Sequence, residues 1–390
     1  MSRIEKSFAK LFLLSLATIL TFLAIETLTN VYLIRFAGDG TFIRYASLHQ
    51  LQTRARSKIG IYTHHRYLGY YPTPNYVSGN NRHNSLGYRG EEIEVPKPAG
   101  RFRIVCLGGS TTYTGQVDDY KKSYPALLED YLKEKGYENV DVVNAGASGW
   151  SSWESLINLE LRVQDLDPDL IVVYHAINDV LARFVSPTSA YRGDNSGRRA
   201  PNHTSIFMPS VFEYSSVLRI AMITAGMKYP HAAFERNVDI LPETYVGQQF
   251  RDQITADTYP DGLFNDVSAE AILEKNSPIY FERNMRNIIN VAKNNEMKVM
   301  LSSFAYSPLF TEHPSVSSQE FVSALEEHNR LLERIADTMD VPFLDFSNLF
   351  PNERRLYVDG QHVNEEGAQL KADLFGSFII DRFLRNPHRL

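Results

Sequence analysis

The stretch FRIVCLGGSTTYTG, Phe102 to Gly115, is an apolar run that ends abruptly in two glycines and a cluster of hydroxyls. Ile104 to Leu107 predict a buried strand, and Gly108-Gly109 let the backbone turn sharply to present Ser110 at the strand's carboxyl end. In open α/β sheets ligands bind at that end. A serine there can be a cap, a phosphate contact or a nucleophile. The far end of the chain bears on the choice. In YVDGQHVNEEG, Tyr357 to Gly367, Asp359 stands three residues before His362, ahead of a helix that Asn364 can cap. A hydroxyl nucleophile needs a base within hydrogen-bond reach and a third group that holds the base in one tautomer. Ser110, His362 and Asp359 can supply all three, although Asp-x-x-His is by itself also an ordinary turn.

Between these stretches the apolar pattern alternates. After Ser110 a helix carries Tyr124, Leu127, Leu128 and Tyr131 at helical spacing and ends near Gly136. Val140 to Val143 predict a second strand and Leu170 to Tyr174 a third. Ser151 and Glu154 form a possible capping box for the helix between them. Helix faces with Phe281, Met285, Ile288 and Ala292, then with Phe321, Leu325, His328, Leu332 and Ile335, flank a fourth strand, Val299 to Phe304. Val341 to Phe346 predict a fifth, and a last helix turns Ala372, Phe375 and Ile379 inward. Strands joined by helices imply a mainly parallel sheet covered on both faces.

Two further strand ends could complete a site. Asn144-Ala145-Gly146 follows the second strand, and a glycine there lets backbone N–H groups approach a substrate closely, as an oxyanion hole requires; it is equally a plain tight turn. Asn178-Asp179 follows the third, where the amide could donate to a developing oxyanion or shape a turn. Ser148 lacks the glycine pair of Ser110 and reads as a turn residue. Trp150 and Tyr113 are candidates for a substrate-facing wall. His328 on an apolar stripe reads as a core histidine, and the only cysteine, Cys106, as a buried structural thiol. No His-Glu-x-x-His or paired Cys ligands appear, so no metal site is expected.

Four short blocks in this order resemble those of the SGNH/GDSL hydrolases: Gly108-Gly109-Ser110, Asn144-Ala145-Gly146, Ala176-Ile177-Asn178-Asp179 and Asp359-Gly360-Gln361-His362. The resemblance runs from about Phe102 to the C-terminus, apart from a long middle insertion. Gly109 stands where the GDS form has Asp, and Ala176 where the Asn block has Gly; neither change removes a group that does chemistry. The resemblance implies a three-layer α/β/α, flavodoxin-like fold with a five-stranded sheet and an esterase without cofactor. It also implies a Ser110–His362–Asp359 triad, with an oxyanion hole from the N–H groups of Ser110 and Gly146 and the Asn178 amide. Its substrate classes are O-acyl esters, acetyl esters among them, of carbohydrates or lipids. An O-acyltransferase acting on a cell-envelope polysaccharide would use the same triad, and a membrane-held binding module that has lost catalysis would have no need of all four residues. The α/β-hydrolase elbow is excluded because Gly108-Gly109-Ser110-Thr111-Thr112 lacks the final glycine, and a P-loop because no lysine precedes a Ser/Thr there.

The N-terminus reads as a single-pass anchor over residues 1–36. Leu11 to Ile25 carry no charge, apolar character resumes after Glu26 as far as Ile34, and Lys10 and Glu26 lie near enough to the ends of the run to snorkel. A cleaved signal peptide competes with it, but no A-x-A site follows. Arg3, Lys6 and Lys10 before the span, against Arg35 and Arg44 after it, favour an extracytoplasmic catalytic domain. Residues 37–100 are expected to form a small accessory lobe of short strands and turns, in which Tyr88 and Arg89 could line a site, and 101–390 the hydrolase domain. An insertion at about 181–268, with one short helix near Val217 to Met227, is expected to be a lid or specificity wall, packed in part through Phe207, Val211, Phe212, Leu218 and Ile220. A net charge of -6 lacks the basic excess that nucleic-acid binding requires.

Overall fold

The computed structural model describes residues 3–47, 49–50, 60–65, 67–199, 213–228, 230, 243–259 and 267–385. The chain forms two compact units: Met1–Thr73 with Asn202–Arg236, and Pro74–Pro201 with Asn237–Leu390. The border therefore falls at residue 73 rather than 100, and the middle of the insertion belongs with the N-terminal segment. The expected packing of Phe207, Val211 and Phe212 lies outside the described residues.

The larger unit is built on five parallel strands: β1 (Phe102–Gly108), β2 (Val140–Gly146), β3 (Leu170–Tyr174), β4 (Lys298–Ser302) and β5 (Phe343–Leu344), in the order β2-β1-β3-β4-β5. That order places β2 and β3 on either side of β1, so the chain leaves β1 at a topological switch point. Nearly every residue of β1 and β3 is buried, as continuous apolar runs in a two-sided sheet must be. The two faces divide by pleat. Ile104, Cys106, Val172 and Met300 enter one core with Leu128, Leu132, Ala372 and Phe375. Val105, Leu107, Ile171 and Leu301 enter the other with Leu156, Met285, Ile288, Leu332 and Ile335. Helices therefore cover both layers, and His328 lies wholly inside, its Nδ1 2.8 Å from the Ala324 carbonyl. Burial pushes that imidazole down to about 3 and the Cys106 thiol up to about 12.

The strand limits shift from those expected, most informatively in β2 and β5. β2 continues through Gly146, because its register against β1 runs from Phe102↔Val140 to Gly108↔Gly146 without a break. β5 is only two residues long, since Phe346 already starts the short helix Phe346–Leu349. Residues 74–100, expected in an accessory lobe, belong to the sheet unit. Arg89 is buried there and its guanidinium donates to the carbonyls of Tyr113, Thr114, Val117 and Asp118, all in the segment after Ser110.

The smaller unit contains the helices Arg3–Arg35 and Asp39–Tyr45, the hairpin Tyr62–His65 with Gly69–Pro72, and the helix Ser216–Thr224. The first helix is 33 residues long, and Ser7–Arg35 is long and apolar enough to cross a membrane.

Candidate active site

Ser110 opens a four-residue helix, Ser110–Tyr113, directly after β1. This turn is possible because positions 108 and 109 carry no side chains. A Cβ on Gly108 would meet Thr112 Oγ1 at 2.0 Å and the Tyr174 carbonyl at 2.7 Å. One on Gly109 would meet Asn178 Nδ2 at 2.6 Å and the Trp150 carbonyl at 2.9 Å. The aspartate of the GDS form would therefore collide here with the asparagine amide.

The loop Tyr357–Val363 approaches from the other end of the chain. Asp359 Oδ1 accepts the N–H groups of Gln361 (3.1 Å) and His362 (2.8 Å), closing a tight turn, and Oδ2 lies 2.6 Å from His362 Nδ1. The Ser307 N–H donates to the Gly360 carbonyl (2.7 Å) and anchors the turn, while Asn364 caps the next helix by accepting from Gly367 N at 3.0 Å. His362 Nε2 then stands 2.7 Å from Ser110 Oγ, across 252 positions of sequence. Burial alone would raise the Asp359 carboxyl, but the hydrogen bonds and charge of His362, with the Gln361 amide, outweigh it and hold it below its ordinary value. Both side chains keep partial contact with solvent, 13% for His362 and 19% for Asp359.

Asn178 lies at the start of the helix Ile177–Arg183, which follows β3. Its Nδ2 donates to the Trp150 carbonyl (2.8 Å), and its Oδ1 accepts from Arg198 Nη2 (3.3 Å). A carbonyl at one end and a guanidinium at the other leave the amide a single orientation. Arg198 Nη1 also donates to the Asn178 carbonyl at 2.9 Å. Arg199 donates to the Gly149 carbonyl and, at 2.6 Å, to Glu154 Oε1. Glu154 in turn accepts the Ser151 N–H and hydroxyl, both at 2.7 Å.

Three expected site residues lie elsewhere than foreseen. Gly146 is inside β2, its N–H donates to Asn144 Oδ1 (3.2 Å), and a Cβ on it would meet the Tyr113 N at 2.5 Å. It lets the Ser110 helix pack on the sheet and offers no amide to a substrate. Trp150, 1% exposed, turns its ring into the protein and presents its carbonyl to the Asn178 amide. Tyr113, 2% exposed, shares its hydroxyl with His83 Nε2 (2.8 Å) and Asn81 (3.0 Å), so neither aromatic forms a substrate wall. Both were misjudged because aromatic residues in loops near a site look alike in sequence whether they face in or out.

The loop after β2 supplies a further glycine at the site. Gly149 has φ +80°, a region open to glycine and strained for other residues. Among the described residues neither its N–H nor that of Ser110 donates to another group of the protein. Arg198, Arg199 and Lys371 were also unforeseen. Lys371 is 1% exposed beneath the turn; its Nζ donates to the Thr111 carbonyl (3.3 Å) and stands 3.4 Å and 3.9 Å over the Tyr174 and Tyr124 rings. Burial pushes its amine well below the usual lysine range. A lysine i+6 from a helix start gives no sign of such a position. Among the described residues no group of three or more His, Cys, Asp or Glu side chains could hold a metal ion.

Residues 106–370 match the GDSL-like Lipase/Acylhydrolase family. The chain belongs to that family. It is accordingly a serine hydrolase acting on ester bonds, and its flavodoxin-like sheet is the family's fold. No protein of curated function matches it. Among solved structures it is similar to a lipase/acylhydrolase from Enterococcus faecalis (15% identity, TM-score 0.41, covering 72% of this chain and 96% of that one). An acetyl xylan esterase from Geobacillus stearothermophilus (15%, 0.40, 71% and 94%) and a GDSL-like lipase from Bacteroides thetaiotaomicron (14%, 0.38, 73% and 91%) are comparably similar.

Proposed function

We propose that this GDSL-family protein is a membrane-anchored serine esterase that hydrolyses O-acyl esters, acetyl esters foremost, of carbohydrates or lipids through Ser110, His362 and Asp359. The observation that carries the reading is the unbroken hydrogen-bond line from Ser110 Oγ through the His362 ring to Asp359 Oδ2, at 2.7 Å and 2.6 Å. Asp359 keeps the proton on Nδ1, so Nε2 is left as the acceptor that faces the serine hydroxyl. Ser110 Oγ attacks the acyl carbon while its proton passes to Nε2. Collapse of the tetrahedral intermediate returns that proton to the leaving alcohol. Water, deprotonated by the same nitrogen, then releases the acid and restores the serine.

The negative charge on the carbonyl oxygen falls to the N–H groups of Ser110 and Gly149 and to the second amide hydrogen of Asn178. One such donor is worth about 3 kcal/mol of barrier. Arg198 and Arg199 act as positioning residues: the first fixes the flip of the Asn178 amide, the second the Gly149 peptide. Anchoring rests on the N-terminal helix, and an extracytoplasmic site on the charges that flank it.

The test is a screen of O-acetylated sugars, polysaccharides and glycerolipids with wild-type protein and Ser110→Ala, with and without an alcohol acceptor. Acid released without acceptor, and lost in Ser110→Ala, is expected. Turnover that depends on an acceptor would identify a transferase with the same triad. Full activity in Ser110→Ala would overturn the assignment.

A further inference from the structure

The helix Ser216–Thr224 comes from the middle of the insertion, yet its amino end is capped by a residue of the N-terminal helix. Glu26 accepts the Ser215 hydroxyl at 2.7 Å and the N–H groups of Ser216 and Val217 at 2.5 Å and 3.1 Å. The carboxylate thus satisfies the free donors at the start of that helix, and they satisfy it. The depth of this junction follows from helix geometry. Glu26 is sixteen residues beyond Lys10, roughly 24 Å along the axis. If Lys10 marks one surface of a hydrocarbon layer about 30 Å thick, Glu26 lies just beneath the other.

A segment docked there must suit lipid. From Tyr214 to Met227 the only charged residue is Arg219. It is 1% exposed and turned inward, donating to the Tyr45 carbonyl (2.7 Å), the Glu213 carbonyl (2.7 Å) and Gln50 Oε1 (3.1 Å). Gln50 reaches back to Asn30 on the first helix at 2.7 Å. Ser216, Arg219 and Ile223 form the buried face. The opposite face presents Ala221, Thr224 and Ala225, flanked by Val217 and Ile220, with Tyr214 85% and Met227 69% exposed. An outward face without charge, continuous with an exposed apolar helix, fits the interfacial zone of a bilayer, where tyrosine is also favoured.

We propose that residues 213–228 form a second membrane contact, an interfacial helix seated in lipid beside the anchor and fastened to it by Glu26. This inference rests on the anchor reading above and adds a consequence. Removal of the first helix as a signal peptide would strip the cap from Ser216–Thr224.

The test uses the full-length protein in phosphatidylcholine vesicles, labelled with an environment-sensitive nitrobenzoxadiazole at one introduced cysteine. Cys106 is fully buried, and unsubstituted protein serves as the labelling blank. Ala221→Cys and Met227→Cys probe the proposed contact, Leu20→Cys the anchor, and Gln369→Cys the aqueous reference. Quenching by spin-labelled lipid at least threefold stronger at positions 20, 221 and 227 than at 369 is expected, with iodide showing the reverse order. Lipid quenching at 20 together with iodide quenching at 221 and 227 would overturn the proposal and leave the anchor intact. Labels at 221 and 227 shielded from both quenchers would overturn it in favour of a protein partner. Iodide quenching at 20 would instead remove the anchor reading itself.

Discussion

Among the described residues the larger unit contains two Ser–His–Asp arrangements, and they differ in the features on which the proposed site depends. In the first, Ser110 Oγ, His362 and Asp359 are joined at 2.7 Å and 2.6 Å and meet solvent. In the second, Ser155 Oγ lies 2.7 Å from His175 Nε2, and His175 Nδ1 faces Asp179 Oδ2 at 3.8 Å. The first contact is as short as in the site, but the second is too long for a hydrogen bond. Asp179 is instead held by the Ser152 N–H (3.1 Å) and hydroxyl (2.5 Å). All three members of the second set are buried. Burial pushes the His175 imidazole down to about 3 and the Asp179 carboxyl up to about 7, despite the opposing Ser152 hydrogen bonds. A histidine that resists protonation cannot take a serine's proton, and no substrate reaches this serine. Composition and connectivity are nearly the same; access to water, and a carboxylate committed to the ring, separate them.

The largest effect expected from this contrast is in the serines. Ser110→Ala and His362→Ala should each lower kcat/KM on a chromogenic acetate ester by at least about a thousandfold with the circular-dichroism spectrum unchanged, whereas Ser155→Ala should keep the rate within about threefold, since a surface-remote hydroxyl touches no reacting atom. The reverse result would exchange the roles of the two sets.

Next comes the approach to the proposed oxyanion donors. Gly109→Ala should cost about a hundredfold in kcat, because the new methyl displaces the Asn178 amide and the Trp150 carbonyl. A kinetic assay that finds the variant near wild type would show that the amide stands clear of the reaction.

Arg198→Met should produce a smaller loss, about ten- to thirtyfold in kcat with KM within about twofold, since a misoriented donor weakens the transition state more than the bound ester. Equal losses in kcat and thermal stability for Arg198→Met and for a substitution remote from Asn178 would reduce it to a packing residue.

The smallest effect concerns pH and stability. The folded Asp179 carboxyl binds its proton up to about 7, whereas in the unfolded chain it releases it near 4. At this carboxyl the native state therefore holds more protons in that interval, and the carboxyl's contribution to stability must fall as pH rises through it. His175 contributes the opposite slope below the imidazole range, since its folded value is depressed to about 3. Thermal melts of Asp179→Asn between pH 5 and 8 should show a shallower decline than wild type. An unaltered slope would mean that the carboxyl is already ionised in the folded protein.

Much of this was legible in one dimension. The strand-helix alternation, the four short blocks and the apolar N-terminal run are local patterns, and local patterns survive projection onto a sequence. Ser110, Asn178, Asp359 and His362 stood out because each follows a strand or precedes a helix. Gly146 was misread because β2 runs three residues further than its apolar core, carrying that glycine into the sheet and leaving Gly149 at the turn. Arg198 and Arg199 sit in an irregular insertion with no periodicity, so nothing announced their partners.

The order and kind of the elements are written locally in the chain, because backbone sterics and the burial of apolar side chains act over a few residues at a time. Folding in three dimensions settled which histidine faces which serine, which side of Asn178 points where, and which of the two aspartates, the part-exposed Asp359 or the buried Asp179, keeps its proton. Those outcomes depend on distances of a few ångströms between residues far apart in the chain, and on how completely each is withdrawn from water.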